Sequence, residues 1–153
     1  MPIDLFDFLK DLSQERHRAI ILHAAPEKGL AATQFCQKIC QHVDGYYLDL
    51  LELFIQSEAL SQSIDKFDPE KLRGLLIEQS KGYSLLVVDR ADFLLDTWRK
   101  SERESFYRLL DNQWDSYKDG MKAKLIFCLQ TSLEILSLKM ADSMEKSRIF
   151  ALT

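Results

Sequence analysis

The spacing of apolar residues changes along the chain, and each change marks an element. From Pro2 to about Gln14 they recur three and four apart, at Ile3, Leu5, Phe6, Phe8, Leu9 and Leu12, which predicts a helix entered at Pro2. Its wide stripe packs on the body of the domain or, through Leu5 and Phe8, joins a partner surface. Ala19 to Leu22 is a continuous apolar run, the pattern of a strand covered on both faces. Helical spacing returns at Ala32, Phe35, Cys36, Ile39, Cys40 and Val43 and stops at Asp44-Gly45. Tyr46-Tyr47-Leu48 reads as a second strand running into a helical segment from Leu50 to about Leu60, with irregular polar chain from Ser61 to Phe67.

Asp68-Pro69-Glu70 is a helix start: a capping acceptor, proline at the first helical position and acid at the positive end of the dipole. Leu72, Leu75, Leu76 and Gln79 continue that helix and Gly82 ends it. Ser84 to Asp89, SLLVVD, is a third strand closing on a carboxylate. Ala91 to Lys100 reads as a loop and short turn. Ser101 and Glu104 then predict a capping box, and Phe106, Leu109, Leu110, Gln113, Trp114 and Tyr117 carry a helix to Gly120. Lys124 to Leu129, KLIFCL, is a fourth strand, Ser132 to Met140 a short helix, and Ser147 to Thr153 a fifth strand. Strands alternating with helices of about a dozen residues predict βαβ units, hence an α/β three-layer sandwich with a mostly parallel five-stranded sheet. Ligands of such sheets bind at the C-terminal strand ends, where His23, Asp89 and Gln130 fall.

Composition narrows the functional classes. The 153 residues are 46% apolar, enough for one core, and a single domain over 1–153 is expected. Twenty basic against 24 acidic residues leave a net charge of −4, so bulk charge gives no attraction to nucleic acid or anionic membrane. No apolar run approaches the roughly 20 residues of a membrane span, and MPIDLFDFLKD lacks the basic lead-in of a secretory signal. Three cysteines, Cys36, Cys40 and Cys128, cannot all pair, and a cytoplasmic protein with buried thiols is expected. A metal reading would need ligands from His17, His23 or His42, and no metal site is expected.

The chemistry centres on Arg18 to Thr33, RAIILHAAPEKGLAAT: a strand, a small loop and the start of a helix, the outline of a phosphate-binding loop. The pattern G-x-x-x-x-G-K-[ST] uses glycines to curl the backbone, lysine to reach the β/γ-phosphates and a hydroxyl to hold magnesium. Here it falls on Ala24, Gly29, Leu30 and Ala31, so one defining position of four is kept.

Taken together, this loop around Gly29, the strand ending at Asp89 and the strand KLIFCLQT ending at Gln130-Thr131 resemble the order and spacing of Walker A, Walker B and sensor 1. The chain is similar in this to the P-loop NTPases of the additional-strand type, the group that contains the AAA+ modules, over nearly its whole length. By length, layout and the VVDRADFLL stretch it resembles the small P-loop proteins of type 3 bacteriophage-exclusion (BREX) systems. The resemblance implies a strand order of 5-1-4-3-2, and a chain stopping at Thr153, just after the fifth strand, is expected to lack the family's helical lid and sensor 2 arginine. It makes Asp89 the metal-supporting aspartate, puts Arg90 where a water-polarising glutamate stands, and leaves Gln130 or Thr131 as sensor.

Lys28 and Arg90 could supply charge, and Thr33 lies two residues past the expected hydroxyl, about 200° round the helix from Ala31. Phosphoryl transfer rests on positioned cations and metal, so these losses imply a pseudo-ATPase with no catalytic residues and no expected cofactor. ATP with magnesium, in a site completed by oligomerisation or a partner, is the alternative. Ala24, Lys28, Gly29, Leu30, Ala31, Asp89, Arg90 and Gln130 are the candidate nucleotide or anion contacts. The expected partners are other protein subunits of an anti-phage defence complex, or further copies of the chain, with no membrane and no direct nucleic-acid contact.

Two smaller features stay open. Phe93, Leu94 and Trp98 form an interface patch if their segment is exposed and belong to the core if it folds under. Arg99, Lys100, Arg103 and Arg108, interrupted by Glu102 and Glu104, read as a solvated helix face, and a DNA-contacting module has only this segment behind it. His23 has no nucleophile elbow beside it and reads as a structural histidine.

Overall fold

The computed structural model describes residues 7, 10, 19–114, 123–140 and 147–152. The expected helix over 2–14, His17 and the helical stretch beyond Trp114 lie outside the described residues, apart from Asp7 and Lys10, which are helical. Five strands form one sheet: β1 (Ala19–Ala24), β2 (Gly45–Asp49), β3 (Leu85–Asp89), β4 (Lys124–Gln130) and β5 (Ile149–Leu152). Their order is β2-β3-β4-β1-β5, the expected 5-1-4-3-2 read from the opposite edge, and every pairing is parallel.

The apolar runs explain the arrangement. β1 and β3 are buried at every position and occupy the interior with β4, whereas β2 and β5 are half-buried edges. Alternate residues serve two cores. Ile20, Leu22, Leu85, Val87, Ile126 and Cys128 face α1 (Gly29–His42) through Ala32, Cys36 and Ile39. Ile21, Leu86, Val88, Leu125 and Phe127 face the opposite layer. That layer contains α2 (Leu50–Gln56), α4 (Pro69–Ser80), α5 (Asp92–Leu95), α6 (Lys100–Arg108) and α7 (Leu133–Ser137). Among the described residues no helix is long and apolar enough to cross a membrane.

Several local expectations are corrected. The helix expected from Leu50 to Leu60 breaks at Ser57, whose hydroxyl accepts from Leu60 N and so starts a separate helix, α3 (Glu58–Gln62). The segment expected to be irregular holds the end of α3 and a 3-10 turn, Ile64–Lys66. The capping interaction of α6 falls two residues before the expected Ser101/Glu104 pair: Arg99 N–H donates to Glu102 Oε1 at 3.0 Å. Asp68 and Pro69 start α4 as expected, Lys71 N donating to the Asp68 carboxylate, and Gly82 at φ +86° turns the chain out after it.

The segment carrying Phe93, Leu94 and Trp98 folds under. Leu94 and Trp98 are buried, Trp98 Nε1 donates to Phe67 O at 2.7 Å, and Phe93 packs edge-on to Phe54. These side chains cement α5 to the α2–α4 layer and present no interface patch. Arg148, which precedes β5, was not singled out by its sequence context, yet it is 1% exposed. Its Nη1 donates to Ala19 O at 2.9 Å, and its Nη2 to Asp111 O at 3.0 Å and to the Asp111 carboxylate.

Candidate functional site

The register of the sheet brings the expected residues to one rim, with Ala24 opposite Gln130 and Asp49 opposite Asp89. The loop between β1 and α1 is short. After Ala25 the chain enters a 3-10 turn, Pro26–Lys28, that runs directly into α1. An anion cradle needs inward-facing N–H groups, but Pro26 has none. Lys28 N donates to Ala25 O at 2.9 Å, and Gly29 N donates to Pro26 O. Gly29 has φ −58° and ψ −41°, ordinary helical values, and a Cβ there would meet nothing within 4 Å. The tight turn expected of Gly29 is therefore not made, since any residue could occupy the position. Leu30 is 73% exposed, and Lys28 and Ala31 also face solvent.

Asp89 is 5% exposed, and its carboxylate is a junction. Oδ2 accepts from Thr33 Oγ1 at 2.6 Å and from Tyr47 Oη at 2.7 Å, and Oδ1 accepts from Arg90 N at 2.9 Å. One side chain thus ties the end of β3 to α1 and β2. Burial, then the bond to Asp89, pushes the Tyr47 hydroxyl far above the usual tyrosine range, so it stays protonated as donor. Thr33, displaced from the magnesium-hydroxyl position by two residues, is the α1 hydroxyl that reaches this carboxylate.

Arg90 borders the rim's cleft, but its guanidinium is engaged by Asp49. Its guanidinium pairs with Asp49 through Nε, at 2.8 and 3.0 Å, and through Nη2, and this side-chain bonding raises its pKa. Asp49 also caps α2 by accepting from Glu52 N at 3.2 Å. The arrangement holds Arg90 at φ +55°, the one non-glycine positive φ among the described residues. Arg90→Gly is expected to be more stable than Arg90→Ala by about 1 kcal/mol, because both lose the exposed pair but only alanine keeps the left-handed strain. Urea unfolding of the two variants checks this, and equal midpoints would remove the strain.

Ala24, Gly29, Leu30, Thr33, Asp89 and Arg90 border a cleft of about 250 Å³, below the roughly 300–1,000 Å³ typical of small-molecule sites. Gln130 reaches the same rim, its N–H donating to Asp92 Oδ1 at 2.9 Å and its side chain exposed. His23 is 6% exposed with Nδ1 2.8 Å from Thr131 Oγ1; burial lowers its pKa, keeping it neutral at pH 7. Thr131 is thereby engaged with His23. Cys36 and Cys128 are buried together, and their contact with burial raises the Cys36 pKa far above the thiol range. Burial pushes Cys40 to about 11. All three are free thiols, and among the described residues no three His, Cys, Asp or Glu side chains group as a metal site.

The basic segment does not present a continuous cationic face. Arg103 turns inward, its Nε and Nη2 each 2.9 Å from the Glu134 carboxylate and its Nη1 on Trp98 O at 2.6 Å and Leu95 O at 3.3 Å. Arg99, Lys100 and Arg108 remain exposed. Thr33 and Arg90 were visible in the sequence as substitutes, but Tyr47, Asp49, Asp92 and Glu134 were not. A polar residue at each strand's C-terminal end was the signal for Asp49, and Tyr47 needed the β2–β3 register. No protein-family model and no curated protein matches this chain.

Proposed function

We propose that the chain is a non-catalytic P-loop domain, related to the additional-strand NTPases, that serves as an assembly or regulatory subunit of a bacterial anti-phage defence complex. The strand order supports the relationship, and the resemblance to the small proteins of BREX systems supplies the biological setting. The closed loop carries the non-catalytic part: the backbone N–H groups of Lys28 and Gly29 are bonded within the 3-10 turn, and an exposed leucine stands where the phosphate lysine belongs. Phosphoryl transfer without a cation, a metal-binding hydroxyl or a water-polarising acid has lost its main electrostatic contributors. Arg90 cannot replace them while it pairs with Asp49.

One observation favours a nucleotide-binding subunit completed in trans. Thr33 Oγ1 lies 2.6 Å from Asp89 beside the cleft, so hydroxyl and carboxylate still meet at the rim. Calorimetry with ATP and magnesium separates the readings. The expected result is no saturable heat up to millimolar ATP and no phosphate release at any protein concentration. Micromolar binding displaced by ADP, or hydrolysis rising with protein concentration, overturns the non-catalytic reading. For the assembly role, the chain is expected to co-purify with the products of its neighbouring genes.

A further inference from the structure

A second cleft, of about 390 Å³, lies on the other side of Asp92 from the closed loop, between α5, α6 and the turn from β4 into α7. Its lip is α7. Ser132 starts this helix by accepting from Ile135 N at 3.2 Å, and Ile135 is buried as the anchor. With Ile135 fixed inward, Leu133 and Leu136 are 86% and 63% exposed, and at i, i+3 they share one face. Leu133 itself lines the cleft, so the exposed leucine surface continues into it.

Three carboxylates, Asp92, Asp96 and Glu134, line the cleft against one cation, Arg103. Arg103 on its wall is held by Glu134 and by the carbonyls of Trp98 and Leu95. Asp92 and Asp96 also line it, and neither forms a salt bridge among the described residues. Burial, with Asp96 and Asp89 nearby, raises the Asp92 pKa. A cation entering here would relieve that crowding, whereas a phosphate-bearing surface would be repelled.

We propose that this cleft docks a segment of a partner protein carrying an arginine or lysine with an aliphatic side chain within one helical turn of it. The cation sets against Asp92 and Asp96, and the aliphatic group against Leu133 and Leu136. The inference rests on the assembly reading and specifies the chemistry of the partner. An amphipathic basic segment matches both halves of the surface, the exposed leucines and the two carboxylates outside any salt bridge among the described residues.

The probe is a synthetic peptide with leucine and arginine at helical spacing, compared with the same peptide carrying glutamate for arginine. Each is titrated into the isotopically labelled full chain and followed by amide shifts. The basic peptide is expected to produce saturable shifts at residues 92, 96 and 133–136. Asp92→Asn with Asp96→Asn, and separately Leu133→Ser with Leu136→Ser, are expected to raise its Kd at least tenfold with the remaining amide spectrum unchanged. The Asp92→Asn change keeps an acceptor for Gln130 N, so the first pair probes charge with the fold retained.

Equal binding of the acidic peptide overturns the proposal, as does the absence of localised shifts. Saturation by N-acetyl-arginine amide alone overturns it in favour of a small-cation site, and shifts on diluting the free chain in favour of self-association. Co-purification of a neighbour that survives both double variants overturns the cleft and leaves the assembly reading standing. ATP binding overturns that reading whatever the peptides do.

Discussion

Asp89→Ala is expected to lower the unfolding free energy by about 3 kcal/mol, as read by urea denaturation at neutral pH. The carboxylate is nearly inaccessible and accepts from Thr33, Tyr47 and Arg90 N. Hydrogen bonds to a charged acceptor contribute about 1.5–3 kcal/mol each and are not additive, and the donors left behind carry their own desolvation penalty. Thr33→Val and Tyr47→Phe, which each remove one donor, are expected to cost about 1.5–3 kcal/mol and to be largely silent once Asp89 is alanine. A residue kept only for ligand chemistry gives the opposite result, because removing crowded functional charge commonly stabilises a fold. An unchanged or raised midpoint for Asp89→Ala would therefore return Asp89 to a functional role.

Arg148→Ala is expected to be at least as damaging, about 3 kcal/mol or more, because it empties the volume of a fully buried side chain and takes the charged donor from Ala19 O and from the half-buried Asp111. The guanidinium is 1% exposed and closes three segments at once: the start of β1 through Ala19 O, the π-helical stretch Leu109–Gln113, which continues α6, through Asp111, and the entry to β5. Its own backbone joins them, with Arg148 N on Met140 O at 2.7 Å and Ile21 N on Arg148 O at 3.1 Å. Combining Arg148→Met with Asp111→Leu is expected to recover most of the loss, because apolar groups of similar volume leave no charge unpaired. If Arg148→Ala unfolds at the wild-type midpoint, the ion pair contributes nothing, and β5 is held by its pairing with β1 and the packing of Ile149, Phe150 and Leu152.

Much of the architecture was legible because apolar periodicity reports burial directly. Fully apolar runs such as AIIL, LLVV and LIFCL placed the interior strands, and Asp68-Pro69 placed the start of α4. The misreadings fall where a single hydrogen bond decides. Ser57 splits one expected helix in two, and Glu102 rather than Glu104 completes the start of α6, choices between near-equal local alternatives that spacing does not rank. The Phe93–Trp98 segment was ambiguous for a related reason: its apolar content fits either a surface patch or a core, and the burial of Leu94 and Trp98, with Trp98 Nε1 donating to Phe67 O, selects the core.

The candidate site divides in the same way. Sequence alone determined that the lysine, hydroxyl and glutamate of a phosphate-binding machine are missing, since those are residue identities at fixed spacings. It also placed Asp89 and Gln130 at the sheet rim, because a strand's end follows from its apolar run. Only the three-dimensional structure shows that the loop closes on its own N–H groups, that Thr33 meets Asp89, and that Arg90 is drawn off to Asp49. The last two depend on contacts across 41 to 56 positions of chain, set by strand register and helix rotation, whereas the loop closes through bonds three residues apart that its spacing did not reveal. A periodic pattern fixes which face of an element is buried, but it cannot fix which polar groups meet where two buried faces end.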